Sequence, residues 1–455
     1  MTAPRPVSPG NDPARAALRD DALTIFAAGV AAADPVEAVK RALQIGLGGG
    51  AVIARDEILF PGKLRIVAIG KAACAMAQAA LEMLPPSVFQ GPGIVITNDE
   101  NSRGVDRMRV LPSGHPLPDS RGLAAVREIE GYLTGSRRED GTLVLLSGGG
   151  SALAPAPVKG ITLDEKIAVT KLLLRSGADI GEINTVRKHL SRMKGGGLAT
   201  MAFPSSLEAL ILSDVIGDDL STIASGPTAP DLTTFANARE VLVRRGIWDE
   251  MPAAIRTHID RGLRGVIPET PKPRDAVFAR VRNRIIGSNS LSLEAAARRA
   301  VEIGYDVVIA SRALTGEARQ AATVIVEQLK SLGDPTRPRA ILAGGETTVT
   351  VRGSGRGGRN QELALAFSLA TRSIAFTQRS WAFLSGGTDG RDGPTDSAGA
   401  IVDPGTISRG ESKGLSVLAS LDSNNSYDFL EASGDHLRTG STGTNVADLQ
   451  VLLVR

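Results

Sequence analysis

"TLVLLSGGGSA", residues 142–152, decides the fold. Leu143 to Leu146 are apolar without alternation, and the run stops at Ser147 and three glycines. An unbroken apolar run of this length reads as a strand buried on both faces. Seven other stretches repeat the theme: "LRIVAIGKAA" (64–73), "GIVITNDEN" (93–101), "ALILSDVIGDD" (209–219), "RIIGSNSLS" (284–292), "DVVIASRALTGE" (306–317), "AILAGGETT" (340–348) and "WAFLSGGTDG" (381–390). Helical patterns separate them. The spacing predicts α/β architecture, with largely parallel sheets flanked by helices. In such sheets ligands bind beyond the carboxyl ends of the strands, and each run places its Gly, Ser, Asn, Asp or Lys there.

A chain of 455 residues suggests two to three domains at ~150–200 residues each. Residues 18–31 carry helical periodicity through Leu23, Phe26 and Val30, and Asp34 with Pro35 and Glu37 reads as the start of a second helix. The rhythm breaks over 232–283, where "RGLRGVIPETPKPRD" (261–275) has the composition of a connector. The expected organisation is a mobile tail over 1–15, an α/β domain over 16–270 and a second over 271–455.

Composition narrows the function classes. Aromatics are 3%, so the core rests on small aliphatic residues. The net charge of +3 comes from 52 basic and 49 acidic residues that are interspersed. Without a basic stripe or stacking aromatics, nucleic acid is not expected as a partner. Cys74 is the sole cysteine, which excludes an intrachain disulfide and a thiolate metal cluster. His115, His189, His258 and His436 lack close metal-ligand spacing. Met1–Arg15 has no apolar core of a signal peptide, and no uncharged run reaches the ~18–20 residues of a membrane span. The expectation is a cytoplasmic protein without a membrane partner.

Several strand ends could carry chemistry. Successive N–H groups of Ser147, Gly148, Gly149, Gly150 and Ser151 suit phosphate oxygens, and a tight turn is the alternative. It is not a P-loop, because G-x-x-x-x-G-K-[ST] does not occur. Lys71 in "IGKAA" is either a point charge for an anion or a solvated lysine. "NTVRKHLSRMKGGGLA" (184–199) gathers Arg187, Lys188, His189, Arg192 and Lys194, with His189 read as structural rather than catalytic. Asp214 in "SDVIGDD" follows a strand, where a carboxylate could hold Mg²⁺ or accept a hydroxyl proton. Asp218 and Asp219 suit capping. Gly353-x-Gly355-x-x-Gly358 fits a dinucleotide fingerprint but lacks the acid ~20 positions on, and Arg356 and Arg359 favour an anionic group. In "SGGTDGRDGPTDSAGA" (385–400), Asp389 would hold a cation or a hydroxyl.

Taken in order, "IGKAA", "LLSGGGSALAPAP", "NTVRKHLSRMKGGGLA", "LSDVIGDDLSTIASGPTAPD", "GGETTVTVRGSGRGGRNQELALAF" and "SGGTDGRDGPTDSAGA" resemble the class II glycerate kinases, with a C-terminal MOFRL-type domain, from about Asp20 to the C-terminus. The resemblance implies transfer of a phosphoryl group from ATP to D-glycerate, giving 2-phosphoglycerate, with Mg²⁺ and an active site in the cleft between the two domains. It implies Lys71, Arg359 and Asp214 as catalytic residues. Ser147, Gly148, Gly149, Gly150, Ser151, Gly226, Gly355 and Gly357 would bind nucleotide phosphate. Lys71, Arg359, Asn360 and Arg187 would bind substrate, and Asp389 and Asp214 the metal. The family reading leaves room for a homodimer. Its rival is an NAD(P)H-dependent hydroxypyruvate reductase, a label that relatives of the family have carried, supported here by the Gly353–Gly358 match.

Overall fold

The computed structural model describes residues 13–45, 51–53, 56–58, 62–84, 86–89, 91–331, 337–372 and 380–455. The chain divides into two compact units. The N-terminal unit comprises Pro35–Ser213 and Asp218–Ile286; the C-terminal unit comprises the chain up to Asp34, the segment Asp214–Gly217 and Gly287–Arg455.

In the N-terminal unit, β1 (Leu43–Ile45), β2 (Ala51–Ile53) and β3 (Asp56–Ile58) form a small antiparallel sheet. The main sheet holds β4 (Leu64–Ile69), β5 (Gly93–Asn98), β6 (Met108–Ser113), β7 (Gly141–Leu146), β8 (Ser206–Leu212) and β9 (Val281–Gly287), in the order β6-β5-β4-β7-β8-β9. The pairs β5–β6, β4–β5, β4–β7 and β7–β8 are parallel. The chain runs outward from β4 in one direction through β5 and β6, then in the other through β7 and β8. The order therefore reverses between β4 and β7, the switch point at which open α/β sheets bind ligands. Ile66 and Ala68 of β4 pack with Met76, Ala77 and Ala80 of the helix Ala73–Met83, whose small residues let it lie close to the sheet. Ile66 is fully buried, so Ile66→Ala would cost about 2–5 kcal/mol.

Beyond the sheet, helices Leu163–Arg175, Ile180–His189, Phe235–Arg244 and Ala253–Leu263 bury a second core through Leu173, Val186, Leu242 and Ile255. Capping boxes at Thr162 with Glu165, Asp179 with Glu182 and Thr234 with Asn237 fix where the first three begin.

The sheet of the C-terminal unit contains β10 (Asp306–Leu314), β11 (Arg339–Gly345), β12 (Trp381–Gly387), β13 (Gly399–Val402), β14 (His436–Leu437) and β15 (Asp448–Val454), in the order β10-β11-β15-β12-β13-β14. Here the expectation of largely parallel pairing needs correction. Only β10–β11 pair parallel; every other neighbouring pair is antiparallel. The last strand, β15, inserts antiparallel between β11 and β12. An unbroken apolar run reports burial on both faces and is silent about direction, and β15 is buried along its whole length.

The domain boundaries also change. Residues 1–12 of the expected tail lie outside the described residues, while Pro13–Arg15 open the helix Pro13–Ala32. That helix packs Leu18, Ala22, Ile25 and Phe26 against Leu384, Leu449 and Val451 of the C-terminal sheet. Gly29 permits the approach: a methyl there would stand 2.5 Å from Leu449 Cδ1. Buried Arg19 anchors it further, donating to Asp403 and Asp435 at 2.8 Å each. The change of unit falls at Ile286–Gly287 instead of 270–271, because β9 joins the N-terminal sheet. No single helix among the described residues is long and apolar enough to cross a membrane.

Candidate active site

In the N-terminal unit the turns after β4 and β7 meet at the switch point. Lys71 N donates to Gly148 O at 2.9 Å, Ser147 N to Ile69 O at 3.0 Å, and Ala72 N to Ser147 Oγ at 3.0 Å. Gly70 is required here: its φ is +133°, and a methyl group would stand 2.2 Å from Ser147 Oγ. Gly149, at φ +84°, lies under both Lys71 and His115; a methyl there would stand 3.1 Å from the His115 ring and 3.3 Å from Lys71 Cγ. Sequence reasoning considered His115 only as a metal ligand and missed this placement. Burial holds its imidazole below the ordinary value, and the neighbouring Lys71 lowers it further.

Ser151 closes the same turn and collects cations. Lys194 Nζ donates to Ser151 Oγ at 2.6 Å and to its carbonyl at 2.9 Å, and Arg187 Nη2 donates to the same hydroxyl. Ser151 Oγ also lies 3.0 Å from Ser225 Oγ, which donates to Asn184 Oδ1 at 3.0 Å. Ser225 spends its proton on Asn184, so Ser151 donates to Ser225 and accepts from the two cations. Opposite, Ala224 and Ser225 hold φ of +51° and +62°, left-handed conformations costing about 1–3 kcal/mol each for residues with a Cβ. Such strain persists only where the surroundings enforce it. Here Gly195 N and Gly196 N bond to Ser225 O and Gly226 O, at 3.0 and 2.7 Å.

The C-terminal unit carries a second charged cluster. Arg359 opens the helix Arg359–Thr371 and grips Asp448 at the start of β15 with Nε–Oδ2 of 2.6 Å and Nη2–Oδ1 of 2.8 Å. Its Nη1 also reaches Glu346 at 3.2 Å. Asp392 accepts from Asn360 N at 3.1 Å, Gln361 N at 2.8 Å and Gln361 Nε2 at 3.0 Å, satisfying first-turn donors of that helix. Burial nonetheless pushes its carboxyl up to about 6. Asp389 lies close by; a methyl at Gly387 would stand 3.2 Å from Asp389 Oδ1 and 3.5 Å from Asp448 Oδ1. A cavity of about 730 Å³ opens over this cluster, lined by Glu346, Thr348, Gly355, Gly357, Arg359 and Asn424, among others.

The sequence-predicted residues divide accordingly. Lys71, Ser147–Ser151, Arg187 and Gly226 fall in the N-terminal unit, and Asp214, Gly355, Gly357, Arg359, Asn360 and Asp389 in the C-terminal one. Lys71, the glycine turn and Arg187 converge at the β4–β7 switch point. Gly226, at φ +64°, ends a short helix and accepts from Gly196, which accounts for it as a turn glycine. Gly353, Gly355 and Gly357 serve close packing: methyl groups there would stand 2.4 Å from Ser423 O, 2.5 Å from Asn425 Cβ and 2.2 Å from Ser426 Oγ. Gly358, the third glycine of the fingerprint, is packed as well, since a methyl there would stand 2.3 Å from Asp392 Cγ; the fingerprint spacing thus reflects close packing. Asn360 is fully buried, with Oδ1 accepting from Ser385 Oγ at 2.6 Å, so its side chain works inside the fold. His189 bonds Thr185 O at 2.8 Å and Glu269 at 3.3 Å, in keeping with a structural histidine. Asp219 binds Ser221 N at 2.9 Å and Thr222 Oγ1 at 2.7 Å, as a capping residue does. Among the described residues no three His, Cys, Asp or Glu side chains come together to hold a metal ion.

Comparison with known proteins bears on both units. Residues 21–260 match the family described as domain of unknown function DUF4147, and residues 339–448 match the MOFRL family. The chain is 41% identical over 442 residues to glycerate 2-kinase of Pyrococcus horikoshii, covering 96% of this chain and 97% of that protein. The crystal structure of glycerate kinase from Thermotoga maritima superposes with a TM-score of 0.85 at 38% identity, covering 97% and 100% of the two chains. A relative from Agrobacterium vitis, 39% identical over 94% of this chain and 93% of its own length, carries hydroxypyruvate reductase in its name.

Proposed function

The chain belongs to the glycerate kinase family, with DUF4147 and MOFRL domains, and from that premise we infer that it transfers a phosphoryl group from ATP to D-glycerate, giving 2-phosphoglycerate and ADP. The observation that carries the reading at the level of chemistry is the turn Ser147–Ser151 at the switch point, with Lys71 bonded to it and Arg187 and Lys194 converging on Ser151. Phosphoryl transfer asks for positioning and for cations around the transferring group, and this turn supplies both. A nicotinamide site would need a ribose-binding acid, and the glycines of the fingerprint are accounted for by packing.

In this reading the Ser147–Ser151 turn receives phosphate oxygens. Lys71 and Arg359 divide the two anionic groups of the reaction, the transferring phosphoryl and the glycerate carboxylate. Arg359 is held at a fixed angle by Asp448, so its planar fork is oriented before a ligand arrives. Asp214 orients or deprotonates the C2 hydroxyl. The donor set lacks a protein cage for Mg²⁺ among the described residues, and it fits an ion that arrives on the nucleotide phosphates with Asp389 as one carboxylate partner. Such an ion would supply charge neutralisation to the phosphates. The reading places the protein in the cytoplasm, working on small molecules.

The test is ADP release with ATP and D-glycerate, run beside NADH oxidation with hydroxypyruvate in the absence of ATP. Turnover confined to the first assay is expected; turnover confined to the second would replace the kinase with the reductase.

A further inference from the structure

Two cations, Arg187 and Lys194, bond Ser151, and a third, Lys166, stands within electrostatic reach of both; the three come from different elements. Arg187 comes from the helix Ile180–His189, Lys194 from the turn that follows it, and Lys166 from the helix Leu163–Arg175. Lys166 and Lys194 are buried, with 6% and 3% exposure. Among the described residues Lys166 Nζ has no hydrogen-bond partner, which removes the ordinary reading of a solvated surface lysine. It lies within electrostatic reach of Arg187, Arg192 and Lys194, and all three repel it. Of the carboxylates near these cations, Glu130 pairs with Arg192, 2.8 Å from its Nε, and Asp231 with Lys188 at 3.5 Å.

Uncompensated buried charge is expensive, and two like charges side by side more so. Burial, reinforced by Arg187 and Arg192, brings Lys166 down to about 7, and burial with Arg187 and Lys166 takes Lys194 well below its ordinary value. A fold that only needed packing would place methionine or leucine here. We propose that Lys166, Arg187 and Lys194 form the seat of a phosphate dianion, with Ser151 as its floor. A carboxylate would bring one negative charge to three cations; a phosphate brings two and offers three acceptor oxygens, matching the fork of Arg187 and the two ammonium groups. Ser151, Gly148 and Gly149 are only half-buried, so an incoming oxygen can reach the donors that now share the Ser151 hydroxyl. The proposal deepens the kinase reading and rests on it for the source of the phosphate, which is either the nucleotide or the phosphorylated product.

Binding of a dianion re-protonates the lysines, so phosphate affinity is linked to proton uptake. The experiment is titration calorimetry of the full chain at pH 8 with inorganic phosphate, in two buffers of different ionisation enthalpy. The expected result is uptake of about one proton per phosphate or more, since a lysine near 7 is mostly neutral at that pH. Lys71 and His115 also face this turn, and Lys166→Met separates their contribution: it should lower the uptake by the proton that Lys166 takes up and weaken phosphate at least tenfold. Its thermal midpoint should hold or rise, because an unpartnered buried amine is gone. Lys194→Met should behave likewise. Titrations with ADP and with 2-phosphoglycerate identify the source by which of them loses affinity in Lys166→Met. Wild-type binding without proton uptake would overturn the seat, as would a Lys166→Met variant that takes phosphate like the wild type. A loss confined to D-glycerate would make it a carboxylate site and also overturn it. None of these measurements needs turnover: a protein that binds phosphate in this way yet releases no ADP with D-glycerate keeps the seat and loses the kinase reading.

Discussion

Arg359 and Asp448 meet in a two-pronged ion pair, 2.6 and 2.8 Å long, between the first residue of a helix and the first residue of the last strand. Asp448 is fully buried, so removing the guanidinium leaves a carboxylate without its counter-charge. Such a loss costs about 3–5 kcal/mol, and an arginine that stabilises phosphoryl transfer is worth ~10³–10⁵ in rate. Arg359→Ala should therefore lower both unfolding stability and turnover. Arg359→Lys keeps the charge but loses the fork, and should retain most of the stability while kcat falls by ~10² or more. Denaturant melts beside coupled ADP release would check both; an Arg359→Ala protein as stable as the wild type would deny the pair any role in the fold.

Lys71 and His115 offer a test that does not depend on turnover. His115 is held below the ordinary imidazole value by burial first and by Lys71 second. Lys71→Met should raise the His115 midpoint toward the value of a free imidazole, read by NMR titration of its ring protons. The same variant should lose ~10²-fold or more in kcat with little change in thermal midpoint. An unmoved His115 midpoint would place the ammonium farther from the ring than the structure does.

Much of this was legible in the sequence, and the gaps have physical causes. All eight apolar runs are strands; where burial is continuous, as in β7 and β12, it leaves a continuous apolar record, while β9 and β10 are largely half-buried. Direction leaves none, so the antiparallel insertion of β15 went unread, and Asp448 with it. The helix Pro13–Ala32 was legible as a helix, but an amphipathic face does not say which sheet it covers. Lys71, Arg187 and the Ser147–Ser151 turn stood out because charge and glycine cluster beside strand ends. Lys166 did not: of the two lysines in Leu163–Arg175 it looks as solvated as Lys171 until packing buries it. The glycines at 353, 355 and 358 matched a ligand motif for a different reason, close packing: the first two press on residues 423–425, and a methyl at Gly358 would stand 2.3 Å from Asp392 Cγ.

Asp140 ties the start of β7 to β4 and sets an acid limit on the N-terminal unit. Its carboxylate accepts from Arg65 at 2.8 Å and from Lys63 N and Arg137 N at 3.0 Å each. Burial raises its carboxyl, but these donors together overcome it and bring the value down to about 2. A folded value below the unfolded ~3.9 means that the unfolded chain binds the proton first, so the stabilisation is present above pH ~4 and lost as pH falls through 2. Its size is about 2 kcal/mol. Asp140→Asn should be less stable than the wild type at pH 7 by roughly that amount, and the difference should shrink on acidification. A constant gap between the two melts across pH 2 to 7 would rule out the linkage.

Gly357 separates packing from ligand binding. A phosphate-cradling glycine, changed to alanine, would weaken the nucleotide and leave stability alone. The structure instead puts the new methyl 2.2 Å from Ser426 Oγ, with Ser426 Cβ and Asn424 O farther off at 3.5 Å. Gly357→Ala should therefore destabilise by about 1–3 kcal/mol, the usual range for overpacking. The clashing atom is a single hydroxyl, which makes the effect reversible by a second change. Ser426→Ala removes that oxygen, and the double variant Gly357→Ala with Ser426→Ala should recover most of the lost stability, giving a coupling of ~1 kcal/mol or more in a double-mutant cycle. The phosphate-binding reading makes the opposite forecast: no stability change in Gly357→Ala, a raised KM for ATP, and no rescue by the second site. Unfolding curves and ATP saturation curves on the four proteins decide between them, because only steric contact with residues 423–426 makes the two substitutions interdependent.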